Sequence, residues 1–253
     1  MISKAEIKRV RSLNTKKGRD LHNLILIEGK RLVEQIIKTE FSFTKIWVTE
    51  DFKNNNASLI SDLRNDDFSI DLISEEDLKK IKVTQNCSGI IGIMNPPKGS
   101  VEKINQRIII LDSIADPGNL GTILRTANWF GIRNIILSEG CVNQYNPKVI
   151  RSAMGAHFSL NIVNTKIDAY IKKLQSKGFQ IIAADLDTDN SIEDFKLDTN
   201  KWGLVMGSEA HGLSESVSDL INHKIKIPQI GKIESLNVSV ACGIFLYHIS
   251  TIK

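Results

Sequence analysis

RIIILDSIADPGNLGTILRTANWFGIRNIILS, residues 107–138, is the stretch that decides the fold. Ile108, Ile109, Ile110 and Leu111 follow one another without a polar break, so they read as a strand buried on both faces. Pro117 and Gly118 turn the chain out of that strand. Leu120, Ile123, Leu124 and Ala127 then recur on one face of a helix, with Thr122, Arg125 and Trp129 on the other. The segment Asn134–Ser138 repeats the apolar run. Strand, helix and strand in so short a span form a βαβ unit, and such units build parallel sheets.

Toward the C-terminus the beat continues. Strands are expected at 158–163, 179–185, 201–207 and 223–227. Helices are expected at 119–130, near 147–153, and at 166–177, 214–221 and 235–252. The acidic stretch 185–198 reads as an exposed loop. The domain is therefore α/β, a largely parallel sheet with helices on both faces.

Toward the N-terminus, MNPPKGS (94–100) is the clearest linker in the chain and puts a domain boundary near 96–106. Residues 1–96 read as a smaller α/β unit, with strands at Leu24–Ile27, Lys45–Thr49, Phe68–Ile73 and Gly89–Met94. Its helices fall over 28–38, Ala57–Leu63 and 74–81, where Ser74 is an N-cap and Asp77 completes a near capping box. Residues 106–253 make the second domain.

The chain has 253 residues, 42% apolar and 25% charged, which is ordinary globular usage and excludes disordered, collagen-like and coiled-coil readings. No apolar run reaches membrane-spanning length. The N-terminus lacks the apolar core of a secretory signal, so a cytoplasmic location is expected. Cys87, Cys141 and Cys242 show neither pairing nor metal spacing and read as small buried hydrophobes, with no metal site expected. Charge is uneven. Residues 1–20 carry Lys4, Lys8, Arg9, Arg11, Lys16, Lys17 and Arg19 against Glu6 and Asp20, while 101–253 are nearly neutral. That basic end suits either a phosphate-backbone contact or a solvated helix and turn.

No GxGxxG follows the first strand of the second domain, and no P-loop, HExxH or GxSxG occurs. Three loops remain, each after a strand, where doubly wound sheets place their ligands. The first, 116–127, holds Asn119 near a helix N-terminus and Arg125 on the polar face, with Gly121 one turn before Arg125 leaving bare surface for a phosphate or ribose. The second, 207–214, sets Glu209 between Gly207 and Gly212, a carboxylate suited equally to a ligand or to a helix dipole. The third, 227–241, leads into a nearly all-apolar helix for which Ser235 or Asn237 is a ready N-cap.

Taken together, the three loops resemble the signature motifs of the SpoU (TrmH) family of RNA ribose 2′-O-methyltransferases, in the SPOUT superfamily. The Asn and Arg of the first family motif match Asn119 and Arg125. The Gly-x-Glu-x-x-Gly of the second matches Gly207, Glu209 and Gly212. The Ser-Leu-Asn-Val of the third matches Ser235–Val238, and RSAMGA at 151–156 is also similar to a family segment. Gln229 departs from the Met common after Ile-Pro. LILIEGKRLVEQIIK and KIWVTED resemble the substrate-binding domain that precedes the catalytic domain in many members and is itself similar to a small RNA-binding ribosomal protein.

The resemblance implies a parallel α/β sheet with a trefoil-knotted C-terminus and S-adenosylmethionine as cofactor. The cofactor pocket would be built by Met206, Gly207, Ser208, Glu209, Gly212, Ile227, Gln229, Leu236, Asn237 and Ser239. The implied catalytic set is Arg125, Asn119, Glu209, Ser235 and Asn237. Arg125 is either a base, as family proposals have it, or a phosphate clamp, which is easier because an arginine scarcely deprotonates. RNA would be held by Lys16, Lys17, Arg19, Arg31 and Arg151. The implied assembly is a homodimer, with the apolar C-terminal helix at the interface. The implied substrate is large-subunit (23S) rRNA. A tRNA 2′-O-methyltransferase, a non-catalytic ribosome-assembly factor and an unrelated nucleotide-cofactor enzyme are the competing readings.

Overall fold

Lys4–Ser12 (α1) and Lys16–His22 (α2) begin the chain in the computed structural model, which describes residues 2–66 and 68–251. A capping box starts α1: Ser3 Oγ accepts from Glu6 N–H and Glu6 Oε2 accepts from Ser3 N–H. Strands Ile25–Glu28 (β1), Phe43–Val48 (β2), Ile70–Leu72 (β3) and Ile90–Met94 (β4) form one sheet of order β1-β4-β2-β3. β4 runs antiparallel to both neighbours, and only β2 and β3 are parallel. Lys30–Ile36 (α3), Glu50–Asn55 (α4), Ala57–Asn65 (α5) and Glu75–Ile81 (α6) cover it. Ser74 caps α6 as expected, accepting from Asp77 N–H at 3.1 Å. The short α4, capped by Thr49, is an addition to the elements expected from the sequence.

In the second unit Ile108–Leu111 (β5) is followed by Pro117–Trp129 (α7) and Asn134–Leu137 (β6). The residues Ile108–Leu111 are all fully buried, as an apolar run flanked on both faces requires. The next helix, Pro147–Ala153 (α8), belongs to the first unit: Tyr145–Phe158 clusters with the chain before Pro97, and Ile150 and Phe158 enter its core beside Ile36 and Phe43. A single boundary near 96–106 does not anticipate this return, because the apolar residues of 145–158 carry no label for the core they join.

The chain then supplies Asn161–Asn164 (β7), Ile167–Gln175 (α9), Gln180–Ala184 (β8), Trp202–Met206 (β9), Glu215–Ser218 (α10), His223–Ile225 (β10) and Val238–Thr251 (α11). These strands and β5–β6 make an all-parallel sheet of order β10-β8-β9-β5-β6-β7. The helix expected over 235–252 starts later, at Val238, because Asn237 caps it; Ile252 lies outside the described residues. Among the described residues no helix is long and apolar enough to cross a membrane. Burial raises the pKa of all three thiols, Cys242 to about 12.

Candidate active site

β5 and β9 are neighbours in the sheet, with Leu111 opposite Met206. Succession runs one way from β5 through β6 and β7, and the chain returns on the other side of β5 with β8 and β9. This is the switch point at which open α/β sheets leave a crevice outside the strand ends. The first two motif loops leave the sheet there, side by side.

Asp116 caps α7 by accepting from Asn119 N–H at 2.8 Å, which fixes Asn119 in the first helical turn. Asn119 Nδ2 donates to Glu209 Oε1 at 2.7 Å. Asn237 Nδ2 donates in turn to Asn119 Oδ1 at 2.9 Å. Behind it, Asn237 Oδ1 accepts from Ser239 N–H at 2.9 Å and Ser239 Oγ at 2.6 Å at the start of α11. One residue from each motif loop thus meets in a single hydrogen-bonded line.

Beside this line lies a cavity of about 740 Å³, walled by Met206, Leu236, Val238 and Phe245 and rimmed by the loops after β9 and β10. The loop after β9 folds back on itself: Ser208 and Gly212 exchange backbone hydrogen bonds at 2.8 and 3.0 Å. A Cβ on Gly207 would stand 2.3 Å from the Gly212 carbonyl carbon, so only glycine fits there. Gly212 has φ +66°, the left-handed region that favours glycine.

Of the residues singled out from sequence, Met206, Gly207, Ser208, Glu209, Gly212, Ile227, Gln229, Ser235 and Leu236 all line the cavity. Gln229 Nε2 donates to the Ile233 carbonyl and so ties its own loop. Asn119 bonds to Glu209, and Asn237 bonds to Asn119, without either asparagine lining the cavity itself. Ser239 is buried in the α11 cap instead of facing the cavity. Arg125 is exposed on α7 and has no hydrogen bond or ion pair among the described residues. Gly121 is buried, which corrects the expectation of bare surface beside Arg125: protein covers that turn. Asp112, one residue past β5 and buried, is missing from the residues singled out by sequence; an acid closing an all-apolar strand is the signal that could have found it.

In the first unit Lys16, Lys17 and Arg31 are exposed and Arg151 is half-buried. Arg19 is a correction. It is 6% exposed, and its Nη1 donates to the Leu13 carbonyl at 2.9 Å, tying α2 to the end of α1. Desolvation lowers its pKa. Glu6 joins Lys45 at 2.8 Å, and Lys45 joins Asp71 at 2.8 Å. The hydrogen bond from Lys45, with that of the Ser3 backbone behind it, holds the Glu6 carboxyl down at about 2.

Two known families match the chain, and the match over the second domain spans 145–158 without a break although that segment packs with the first unit. Residues 106–247 match the SpoU rRNA Methylase family, and residues 4–92 match the MRM3-like substrate binding domain. A 23S rRNA (guanosine(2553)-2′-O)-methyltransferase, RlmP, of Bacillus subtilis is 28% identical over 96% of this chain and 95% of its own. An uncharacterized tRNA/rRNA methyltransferase of Synechocystis sp. is 32% identical over 95% of this chain and 89% of its own. The crystal structure of an AdoMet-bound rRNA methyltransferase from Sinorhizobium meliloti shares the fold, with a TM-score of 0.87 at 24% identity over 98% of this chain and 95% of that one.

Proposed function

The chain belongs to the SpoU rRNA methylase family, and from that premise we propose that it methylates a ribose 2′-hydroxyl of structured RNA, with large-subunit rRNA as substrate and S-adenosylmethionine as donor. The observation that carries this is the Asn119–Glu209 bond, which joins the first two motif loops at the mouth of the cavity. The cavity fits the cofactor. Met206, Ile227, Leu236 and Phe245 offer apolar walls for a base, and Gly207 brings bare backbone to its edge.

When bound, S-adenosylmethionine supplies a methyl group on a sulfonium, an excellent leaving group. The protein's task is to orient the acceptor hydroxyl and help its proton leave. Asn119 and Asn237 hold Glu209 at the cavity edge as a hydrogen-bond acceptor. Arg125, free on the same helix as Asn119, clamps an RNA phosphate, a role that suits a group which stays charged. Ser235 lines the same cavity and adds a hydroxyl to its rim.

The first unit serves as the RNA-binding domain, with Lys16, Lys17, Arg31 and Arg151 as contacts, and the enzyme works in the cytoplasm. The functional assembly is a homodimer. Trp129 on α7 and Val240 and Tyr247 on α11 are exposed apolar residues that a second copy would cover. We also read the C-terminal stretch as knotted; β10 lies beyond β8, while α11 comes back to pack on α7.

The test is calorimetric binding of S-adenosylmethionine, followed by mapping of ribose methylation in total RNA with and without the gene. A 2′-O-methyl mark lost from large-subunit rRNA supports the reading. A mark lost only from tRNA moves the substrate, and cofactor binding with no lost mark favours the assembly-factor reading.

A further inference from the structure

Asp112 is 4% exposed, and no cation pairs with it among the described residues. Its backbone N–H donates to the carbonyl of Met206, the last residue of β9, at 2.9 Å. Its Oδ2 accepts from the N–H of Ser214, the N-cap of α10, at 2.8 Å. Residues 207–213 lie between those two anchors, so one residue just past the neighbouring strand fastens both ends of the loop that rims the cavity. Its Oδ1 accepts from Ser113 Oγ at 3.1 Å. Ser113 has φ +60°, a conformation rare for a residue with a side chain, and its N–H donates to Ser138 Oγ at 2.8 Å. A buried carboxylate without a counter-ion is costly to keep. Here both oxygens are used, and one of them fixes a loop end that the sheet itself does not reach.

We propose that Asp112 is a positioning residue for the cofactor: it clasps the 207–213 loop in the shape that presents Gly207 and Glu209 to the cavity, and thereby sets cofactor affinity. This rests on the reading that the loop holds S-adenosylmethionine. Asp112 does not line the cavity and acts only through the loop. Loss of the acceptor frees the Ser214 end, and the loop must then be ordered when the cofactor binds.

The test compares full-length wild type, Asp112→Ala and Asp112→Asn by S-adenosylmethionine calorimetry and by amide exchange. The Ala variant is expected to bind the cofactor on the order of tenfold more weakly, the loss of one charge-assisted hydrogen bond. Its KM for cofactor rises while kcat at saturation holds. Amides of 207–213 exchange faster, and those of β5 and β9 do not. The Asn variant keeps an acceptor oxygen and restores most of the affinity. If Asp112→Ala fails to fold, Ser214→Pro breaks the same clasp from the loop side: the φ of −65° suits proline, but a ring carbon replaces the N–H and pushes the Ser214 end away from Asp112, and the same weakening is expected. Wild-type affinity and wild-type loop exchange in a folded variant overturn the proposal alone. No cofactor binding by the wild type overturns the methyltransferase reading and takes this proposal with it.

Discussion

Asn237 Nδ2 donates to Asn119 Oδ1 at 2.9 Å, and the direction of that bond is fixed from behind. Asn237 Oδ1 already accepts from the first turn of α11, so only the amide nitrogen can face Asn119. Asn119 must then turn its own nitrogen to Glu209. The helix cap thus sets the polarity of the whole line. Asn237→Asp tests this. The carboxylate still caps α11, so the melting temperature holds or rises. It places an acceptor against an acceptor, however, and Asn119 must release Glu209. Methyl transfer is expected to fall about 100-fold, by analogy with loss of one organising donor at other active sites. Full activity in this variant would remove the line from the mechanism.

Gly207→Val is expected to abolish cofactor binding. Its Cβ would overlap the Gly212 carbonyl carbon, and backbone at that distance cannot yield as a flexible side chain can. The hairpin between Ser208 and Gly212 must open, and the rim of the cavity opens with it. Calorimetry on the folded variant checks this; an unchanged Kd would show that the loop does not touch the ligand.

Arg125 gives the opposite pattern. It neither lines the cavity nor bonds to the Asn119 line, so Arg125→Ala should retain cofactor affinity. Methyl transfer is expected to drop by about 100-fold or more, as for loss of a phosphate-orienting or charge-stabilising group. Arg125→Lys should also fail, since an ammonium cannot make the planar bidentate contact. Near-normal turnover in either variant would free Arg125 from any role in the reaction.

The elements are legible in the sequence because their signals are local. Ile108–Leu111 announces a buried strand, and the spacing of Leu120, Ile123, Leu124 and Ala127 announces the helix after it, which starts at Pro117, two residues before the expected 119. The meeting of Asn119, Glu209 and Asn237 is legible only through resemblance, since no spacing in the sequence says that β9 lies beside β5. Gly121 and Arg19 mislead for one reason: exposure is a tertiary property, and a glycine or a cation on a helix does not declare which partner covers it. Arg19 reads as part of a basic handle, yet the Leu13 carbonyl takes it inward. The adherence of 145–158 to the first unit is hidden in the same way, because Ile150 and Phe158 read as core residues of either unit.

Glu6 makes the first unit acid-sensitive. Its folded-state pKa is depressed to about 2 from an ordinary 4.5, chiefly by the Lys45 hydrogen bond. A depressed carboxylate stabilises fully above the unfolded value and loses that stabilisation as pH falls toward the folded one. The wild type should therefore lose more stability between pH 4.5 and 2 than Glu6→Gln does, and the two should run parallel above that window. Denaturant midpoints across the pH series check it. Identical slopes throughout would mean that the Glu6–Lys45 pair does not hold in solution.

The basic end of the chain is the last test, and the structure narrows it. Lys16 and Lys17 project from α2 into solvent, with Lys4, Lys8 and Arg11 exposed on α1, whereas Arg19 is spent on holding the two helices together. Reversing Lys16 and Lys17 to Glu should weaken RNA binding without unfolding the protein. Arg19→Ala should instead lower the melting temperature, because the Leu13 carbonyl loses a buried partner. If the lysines neutralise phosphates, binding releases counterions, and the log–log dependence of affinity on salt is steeper for wild type than for the variant. The slope should shrink by about 0.7–0.9 for every phosphate that the variant no longer neutralises. Cofactor affinity should not change, since the cavity is lined only by residues of the second unit. The measurement is RNA affinity over a salt series for wild type and the double variant. Equal slopes would return these lysines to solvated surface and leave Arg31 and Arg151 as the candidates for holding RNA.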